Sequence, residues 1–169
     1  MMEDKTMGSN NFDMSPKGLE LLKEWEGYRK HIYNDAAGLP TIGVGHLLTR
    51  DELRSGKILI GDEYVRYSAG LSDQQVLDLL HGDVQKFEDT VNNYVQVPLN
   101  QDQFDALVSF AFNVGGGAFR NSTLLKVLNS GNYDGVPDQF MRWSYSGGRQ
   151  LPGLLSRRRH EISLWNGEL

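Results

Sequence analysis

Two carboxylates and a hydroxyl lie close together in this chain: Glu26, Asp35 nine residues later, and Thr41 fifteen residues later. Two carboxyl groups in unequal surroundings can cleave a glycosidic bond, one acting as acid and the other as base. The surroundings here read as unequal. Glu26 falls at a helix C-terminus, where partial negative charge disfavours another anion, and Trp25 and Tyr28 beside it would thin its solvation. It reads as the proton donor. Asp35 falls in a polar turn with backbone N–H groups to spare and reads as the anionic partner. A threonine hydroxyl can hold a water against an aspartate. Spacing alone does not select these three, because such a trio is common in soluble proteins. Glu20 and Glu24 are equally acidic, although they read as a solvated helix face.

The elements that must position these residues follow from local pattern. Ser15-Pro16 predicts a helix start, with Ser as N-cap and Pro at the first helical position. Leu19, Leu22 and Trp25 recur at helical spacing, and Gly27 is the stop. Tyr28 to Leu47 predicts a glycine-rich β-element, with Asp35-Ala36-Ala37-Gly38 as its turn. Residues 48–70 carry no clear pattern beyond a short helix at 49–55. Ser72 and Gln75 form a capping-box pattern opening a long helix near 73–95. Its inner face is expected to be Val76, Leu80, Val84, Phe87 and Val91. A further helix follows Asn100 with Phe104, Leu107, Val108 and Ala111 inward. Shorter helices are expected at 122–129, 137–145 and 155–165. The order of helix, small sheet and helices predicts an α+β, mainly α, fold.

Composition narrows the function classes. The chain has 169 residues, no Cys, and 39% hydrophobic residues, enough for one domain with its own core. A thiol nucleophile, a disulfide scaffold and a Cys-ligated metal are excluded. No ligand cluster asks for a metal, and no cofactor is expected. No run approaches the ~18 apolar residues needed to span a bilayer, so membrane insertion is not expected. Residues 1–119 carry a net charge of −8 and residues 120–169 a net +3. That balance argues against general nucleic-acid binding. Residues 1–14 read as a flexible polar leader before one catalytic domain, 15–169.

Glu26-Gly27, Tyr33, Asp35, Gly38 and Thr41-Ile42-Gly43-Val44-Gly45-His46 together resemble the phage-type lysozymes of glycoside hydrolase family 24, the T-even and lambdoid endolysins. The family's Glu-x8-Asp-x5-Thr triad falls on Glu26, Asp35 and Thr41 without a gap. Phe112-Asn113-Val114-Gly115 is similar to its mid-chain block. Arg142-Trp143, Gly153-Leu154, Arg157-Arg158, Glu161 and Trp165 are similar to its C-terminal block.

The resemblance implies a lysozyme-like two-lobed fold. The sheet lobe would be about 28–70, the helical lobe about 96–169 plus the first helix, with a long helix joining them and a cleft between. It implies hydrolysis of the β-1,4 bond between N-acetylmuramic acid and N-acetylglucosamine in peptidoglycan, with inversion. Glu26 would be the acid, and Asp35 and Thr41 would activate water. Inversion needs carboxyl groups roughly 6.5–9.5 Å apart. The resemblance also implies that Leu47, Phe112, Asn113 and Ser122 line the sugar site, although core packing is the competing reading for Leu47 and Phe112. It pairs His46 with Asp83 as a structural ion pair. Arg157, Arg158 and Arg159 read as a solvated charge run, with at least one arginine having a structural partner. Leu154 departs from T-even enzymes, which place an arginine there. The implied biology is a monomeric endolysin, held in the host cytoplasm until a holin releases it to the periplasmic cell wall. Two alternatives are a lytic transglycosylase, which needs no Asp–Thr partner, and a non-catalytic peptidoglycan-binding module.

Overall fold

The computed structural model describes residues 10–169. The chain forms two compact units, one spanning Leu19–Gln85 and the other comprising the chain before and after it, through Gly18 and from Lys86. The unit boundaries fall inside the first helix and the long helix, so most of the first helix groups with the sheets.

In the Leu19–Gln85 unit, helix α1 (Pro16–Glu26) leads to β1 (Arg29–Asn34), β2 (Pro40–Gly43) and β3 (His46–Leu47), an antiparallel sheet in that order. Ser15 Oγ accepts the Gly18 N–H at 2.9 Å, capping α1, and the Gly27 N–H closes its end on Lys23 O at 2.9 Å. Helix α2 (Arg50–Ser55) opens with a complete Thr49–Glu52 capping box. A hairpin of β4 (Lys57–Ile60) and β5 (Glu63–Arg66) follows, in the stretch where the sequence pattern was unclear. Helix α3 (Asp73–Tyr94) opens on the Ser72–Gln75 box, with both reciprocal bonds made at 2.9 and 3.0 Å. Leu22, Ile42, Val44, Ile58, Val76, Leu80 and Val84 are buried here.

In the other unit, α4 (Gln101–Val114) packs against α8 (Pro152–Trp165), with α5 (Gly116–Arg120), α6 (Thr123–Asn129) and α7 (Val136–Met141) between them in sequence. Phe110 is the centre of an aromatic cluster, edge-on to Phe119, Phe140 and Trp143 at 6.3, 5.3 and 5.4 Å. Phe87, expected on the inner face of α3, is only half-buried.

Two expectations need correction. The helix expected over 137–145 stops at Met141. After a 3-10 turn the chain enters a small hairpin, β6 (Tyr145–Ser146) and β7 (Arg149–Gln150). Gly147 and Gly148 join the strands with φ of +61° and +78°, the left-handed pair that a two-residue hairpin turn requires. Of the expected leader, residues 1–9 lie outside the described residues, and 10–14 are anchored. Asn10 is buried, donating to Val97 O at 2.9 Å and accepting from Leu99 N at 3.0 Å. Phe12 N donates to Asn92 Oδ1 at 3.0 Å, and Met14 N to Glu88 Oε2 at 2.6 Å.

Candidate active site

Glu26, Asp35 and Thr41 all belong to the Leu19–Gln85 unit. Glu26 is the exposed last residue of α1. Asp35 begins the turn after β1, and its Oδ1 accepts two backbone N–H groups, from Ala37 at 2.9 Å and Leu39 at 2.8 Å. The Asp35 N–H donates to Leu39 O, and the Gly38 N–H to Asp35 O, at 2.9 and 2.8 Å. This closed turn fixes the carboxylate in orientation. Among the described residues Oδ2 has no hydrogen-bond partner, so one oxygen remains for an outside donor. Thr41 lies on β2 and is 1% exposed; its hydroxyl donates to Leu39 O at 2.9 Å.

The register aligns further side chains. Thr41 stands opposite Tyr33 on β1 and Leu47 on β3, so the three share one sheet face. Leu47 is 51% exposed, which removes the core-packing reading for it. Phe112 and Asn113 lie on α4 and Ser122 precedes α6, all in the other unit. Phe112 is half-buried and edge-on to Phe87 at 5.4 Å. Asn113 accepts from Arg158 through Oδ1. Ser122 is buried; its Oγ donates to Phe119 O at 2.7 Å and accepts from Leu125 N at 3.1 Å, capping α6. The Ser122 hydroxyl is thus used within the fold, where the resemblance had implied a sugar contact.

His46 sits between two carboxylates: Nδ1 is 2.8 Å from Asp83 Oδ2, and Nε2 is 3.0 Å from Glu52 Oε1. Burial opposes its charge, but hydrogen bonds and charge from Asp83 and then Glu52 outweigh it, raising the imidazole pKa to about 9. Glu52 escaped the sequence reading. Its signal was the Thr49–Glu52 capping box six residues after His46.

Two of the three consecutive arginines are inside the protein. Arg157 Nε and Arg158 Nη1 donate to Glu161 at 3.0 and 2.6 Å, and Ser109 Oγ donates to the same carboxylate at 2.6 Å. Arg158 and Glu161 are fully buried, and the Arg158 guanidinium lies 5.1 Å from the Phe110 ring centroid. Burial pushes the Glu161 carboxyl up, while Arg158 and Arg157 pull it back. Only Arg159 of the run is exposed, so the solvated-face reading holds for that residue alone.

Small antiparallel sheets carrying an acidic turn, in a mainly helical α+β chain, make a lysozyme-like fold. Residues 23–161 match the phage lysozyme family, and the chain belongs to that family. It is 40% identical over 152 residues to the endolysin of Salmonella phage P22, covering 90% of this chain and 97% of that one. It is 38% identical to the endolysin of Bacillus phage B103 over 90% of its own length, but spans about half (54%) of that relative. A crystal structure of a P22 lysozyme mutant superposes with a TM-score of 0.77, at 37% identity over 92% of this chain and 99% of that one. The muramidase domain of SpmX from Asticaccaulis excentricus gives 0.75 at 32% identity, covering 92% of this chain and 98% of that domain. Among the described residues no helix is long and apolar enough to cross a membrane, and no group of three or more His, Asp or Glu could hold a metal.

Proposed function

We propose that this lysozyme is an endolysin of the glycoside hydrolase family 24 type, related to the T-even and lambdoid enzymes. It would cleave the β-1,4 bond between N-acetylmuramic acid and N-acetylglucosamine in peptidoglycan, with inversion. The observation that carries this reading is the Asp35 turn: two N–H donors hold one carboxylate oxygen, and the other stays available for water. Glu26 protonates the leaving glycosidic oxygen. Asp35 takes a proton from water on the opposite face of the sugar. The Thr41 proton is committed to Leu39 O, so its oxygen can only accept. It positions the Asp35 turn and offers lone pairs to that water. Leu47, Phe112 and Asn113 are the proposed sugar contacts. The enzyme acts as a monomer, waits in the host cytoplasm for a holin, and then reaches the wall.

Proton NMR of a soluble glycan substrate at early times tests the stereochemistry. The α-anomer as first product is the expected result. The β-anomer first would mean retention, with Asp35 as nucleophile.

A further inference from the structure

A depression of about 440 Å³ lies wholly in the unit that runs from Lys86 onward, to which none of Glu26, Asp35 and Thr41 belongs. Its size is that of a small-ligand pocket. The start of α4, the 3-10 turn Tyr133–Gly135 and the end of α8 form its walls. Asn100 and Gln103, both in the lining, make the capping box of α4. The Asn100 side-chain oxygen accepts the Gln103 N–H at 2.8 Å, and the Gln103 side-chain oxygen accepts the Asn100 N–H at 2.9 Å. Both amide oxygens are thereby used. Both side-chain NH2 groups make no hydrogen bond among the described residues and remain as donors. The Tyr133 hydroxyl donates to Pro98 O at 2.6 Å, which leaves its oxygen as an acceptor.

Trp165 is the independent sign of a ligand. It is only 6% exposed, yet its indole N–H has no partner among the described residues and is still reached by solvent. A buried indole N–H ordinarily finds a partner. Trp165 lines the depression, so the donor of this buried ring opens there. Charge then narrows the ligand. Asp134 is the one charged lining residue, and it has no ion pair among the described residues. Asp102, which a Cβ on Gly167 would approach to 3.7 Å, is already paired with Lys17 at 2.8 Å. The lining therefore offers no cation to a carboxylate or a phosphate. An amine would satisfy Asp134 but leave the indole and amide donors unanswered. A neutral ligand with carbonyl, N–H and hydroxyl groups answers both kinds of group. An acetamido sugar has all three, and the apolar face of its ring suits the Tyr133 and Trp165 rings.

We propose that this depression is a second carbohydrate site, which takes an N-acetylglucosamine residue of the wall glycan. N-acetylmuramic acid fits less well, because its lactyl arm and peptide carry carboxylates that no cation in the lining would meet. Trp165, Asn100 and Gln103 donate to the acetamido carbonyl and the ring hydroxyls, while Asp134 and Tyr133 accept. The inference rests on the peptidoglycan reading above. The site keeps a strand on the enzyme between cuts.

The test follows the Trp165 indole signal by nitrogen–proton correlation NMR in the full chain carrying Glu26→Gln, so that added glycan stays intact. Trp165→Phe assigns the signal. Titration with the N-acetylglucosamine tetramer shifts it to saturation, and soluble wall glycan strands freed of their peptides shift it in the same way. The glucose tetramer, which lacks acetamido groups, binds there about tenfold more weakly. Asn100→Asp with Gln103→Glu keeps both capping oxygens and replaces the free NH2 groups by oxygen. This variant keeps the parent unfolding midpoint and loses at least about tenfold in affinity at Trp165, while the response of Trp25, in the unit of Glu26, stays that of the parent. A silent Trp165, or an equal response in the donor-reversed variant, would overturn the site. So would equal affinity for the glucose tetramer, or a response to the N-acetylglucosamine tetramer with none to wall strands. A response to ethylamine that Asp134→Asn abolishes, with none to sugar, would make it a cation site instead. If the parent cleaves no peptidoglycan yet Trp165 responds to wall strands, the catalytic reading fails and the site stands. Cleavage by the parent with a silent Trp165 removes the site alone.

Discussion

Asp35 and Thr41 hold the backbone of the same residue, Leu39, from its two sides. Asp35 Oδ1 accepts the Leu39 N–H at 2.8 Å, and the Thr41 hydroxyl donates to the Leu39 carbonyl at 2.9 Å. The Asp35 N–H shares that carbonyl at 2.9 Å. The carboxylate and the hydroxyl are therefore fixed relative to each other by backbone and cannot drift independently. In the proposed mechanism this sets where water sits against the base.

Thr41→Val removes the hydroxyl and keeps the volume. The Leu39 carbonyl loses a donor, and the Asp35 turn loosens. We expect kcat to fall by about 100-fold with KM little changed, and stability to fall by about 1 kcal/mol. Thr41→Ser restores most of the rate. A variant with unchanged kcat would show that Thr41 serves only packing.

His46 makes stability depend on pH. Its folded pKa of about 9 exceeds the unfolded value near 6.5, so folding favours the protonated ring. That contribution is full below about pH 6.5 and is lost as pH rises through 9. Asp83→Asn should cost about 2 kcal/mol at pH 5.5 and much less at pH 9.5. Urea unfolding at the two pH values measures this. Equal stability of variant and parent at pH 5–6 would remove the His46–Asp83 pair as a stabilising element.

Much of the site's framework was readable from local chemistry. Ser15-Pro16, Ser72 with Gln75, and the Asp35–Gly38 turn are short-range signals, and each is where its residues predict. The β4–β5 hairpin was not readable because Leu59 is apolar yet exposed, which hides strand alternation within an unbroken Lys57-Ile58-Leu59-Ile60 run. Helix α8 itself was readable, but its inward face was not, for the converse reason. Its buried face includes Arg157, Arg158 and Glu161, so charge marks the inside and periodicity misleads. Its start at Pro152, three residues before the expected 155, follows the preference of Pro for a first helical turn. The pairing of Glu52 with His46 was not readable because the Thr49–Glu52 capping box marks a helix start and does not by itself name an imidazole partner.

The arginine run gives a sharp contrast between neighbours. Arg158→Met leaves Glu161 buried with one cation fewer, and stability should fall by about 3–5 kcal/mol. Arg159→Gln changes an exposed residue and should stay within about 0.5 kcal/mol of the parent. Thermal or urea unfolding of the pair checks this. Equal effects would contradict the burial of Arg158.

Gly18 is set by close approach. A Cβ there would lie 2.6 Å from Asp105 Oδ2, and Asp105 already accepts from Ser15 N at 3.1 Å and from the Ser15 hydroxyl. Gly18→Ala must break that clasp, and we expect a loss of about 2–3 kcal/mol despite the better helix propensity of alanine. No loss in a denaturant titration would show that Asp105 moves aside freely.

The central claim is that Glu26 drives addition of water across a glycosidic bond of the wall. Mass spectrometry of the ends released from purified peptidoglycan by the parent and by Glu26→Gln tests it most directly. The account predicts reducing muropeptides from the parent and none from the variant. Anhydro-muramic ends from the parent would mean a transglycosylase, with Asp35 and Thr41 outside the chemistry. Equal release by both proteins would remove Glu26 from the mechanism.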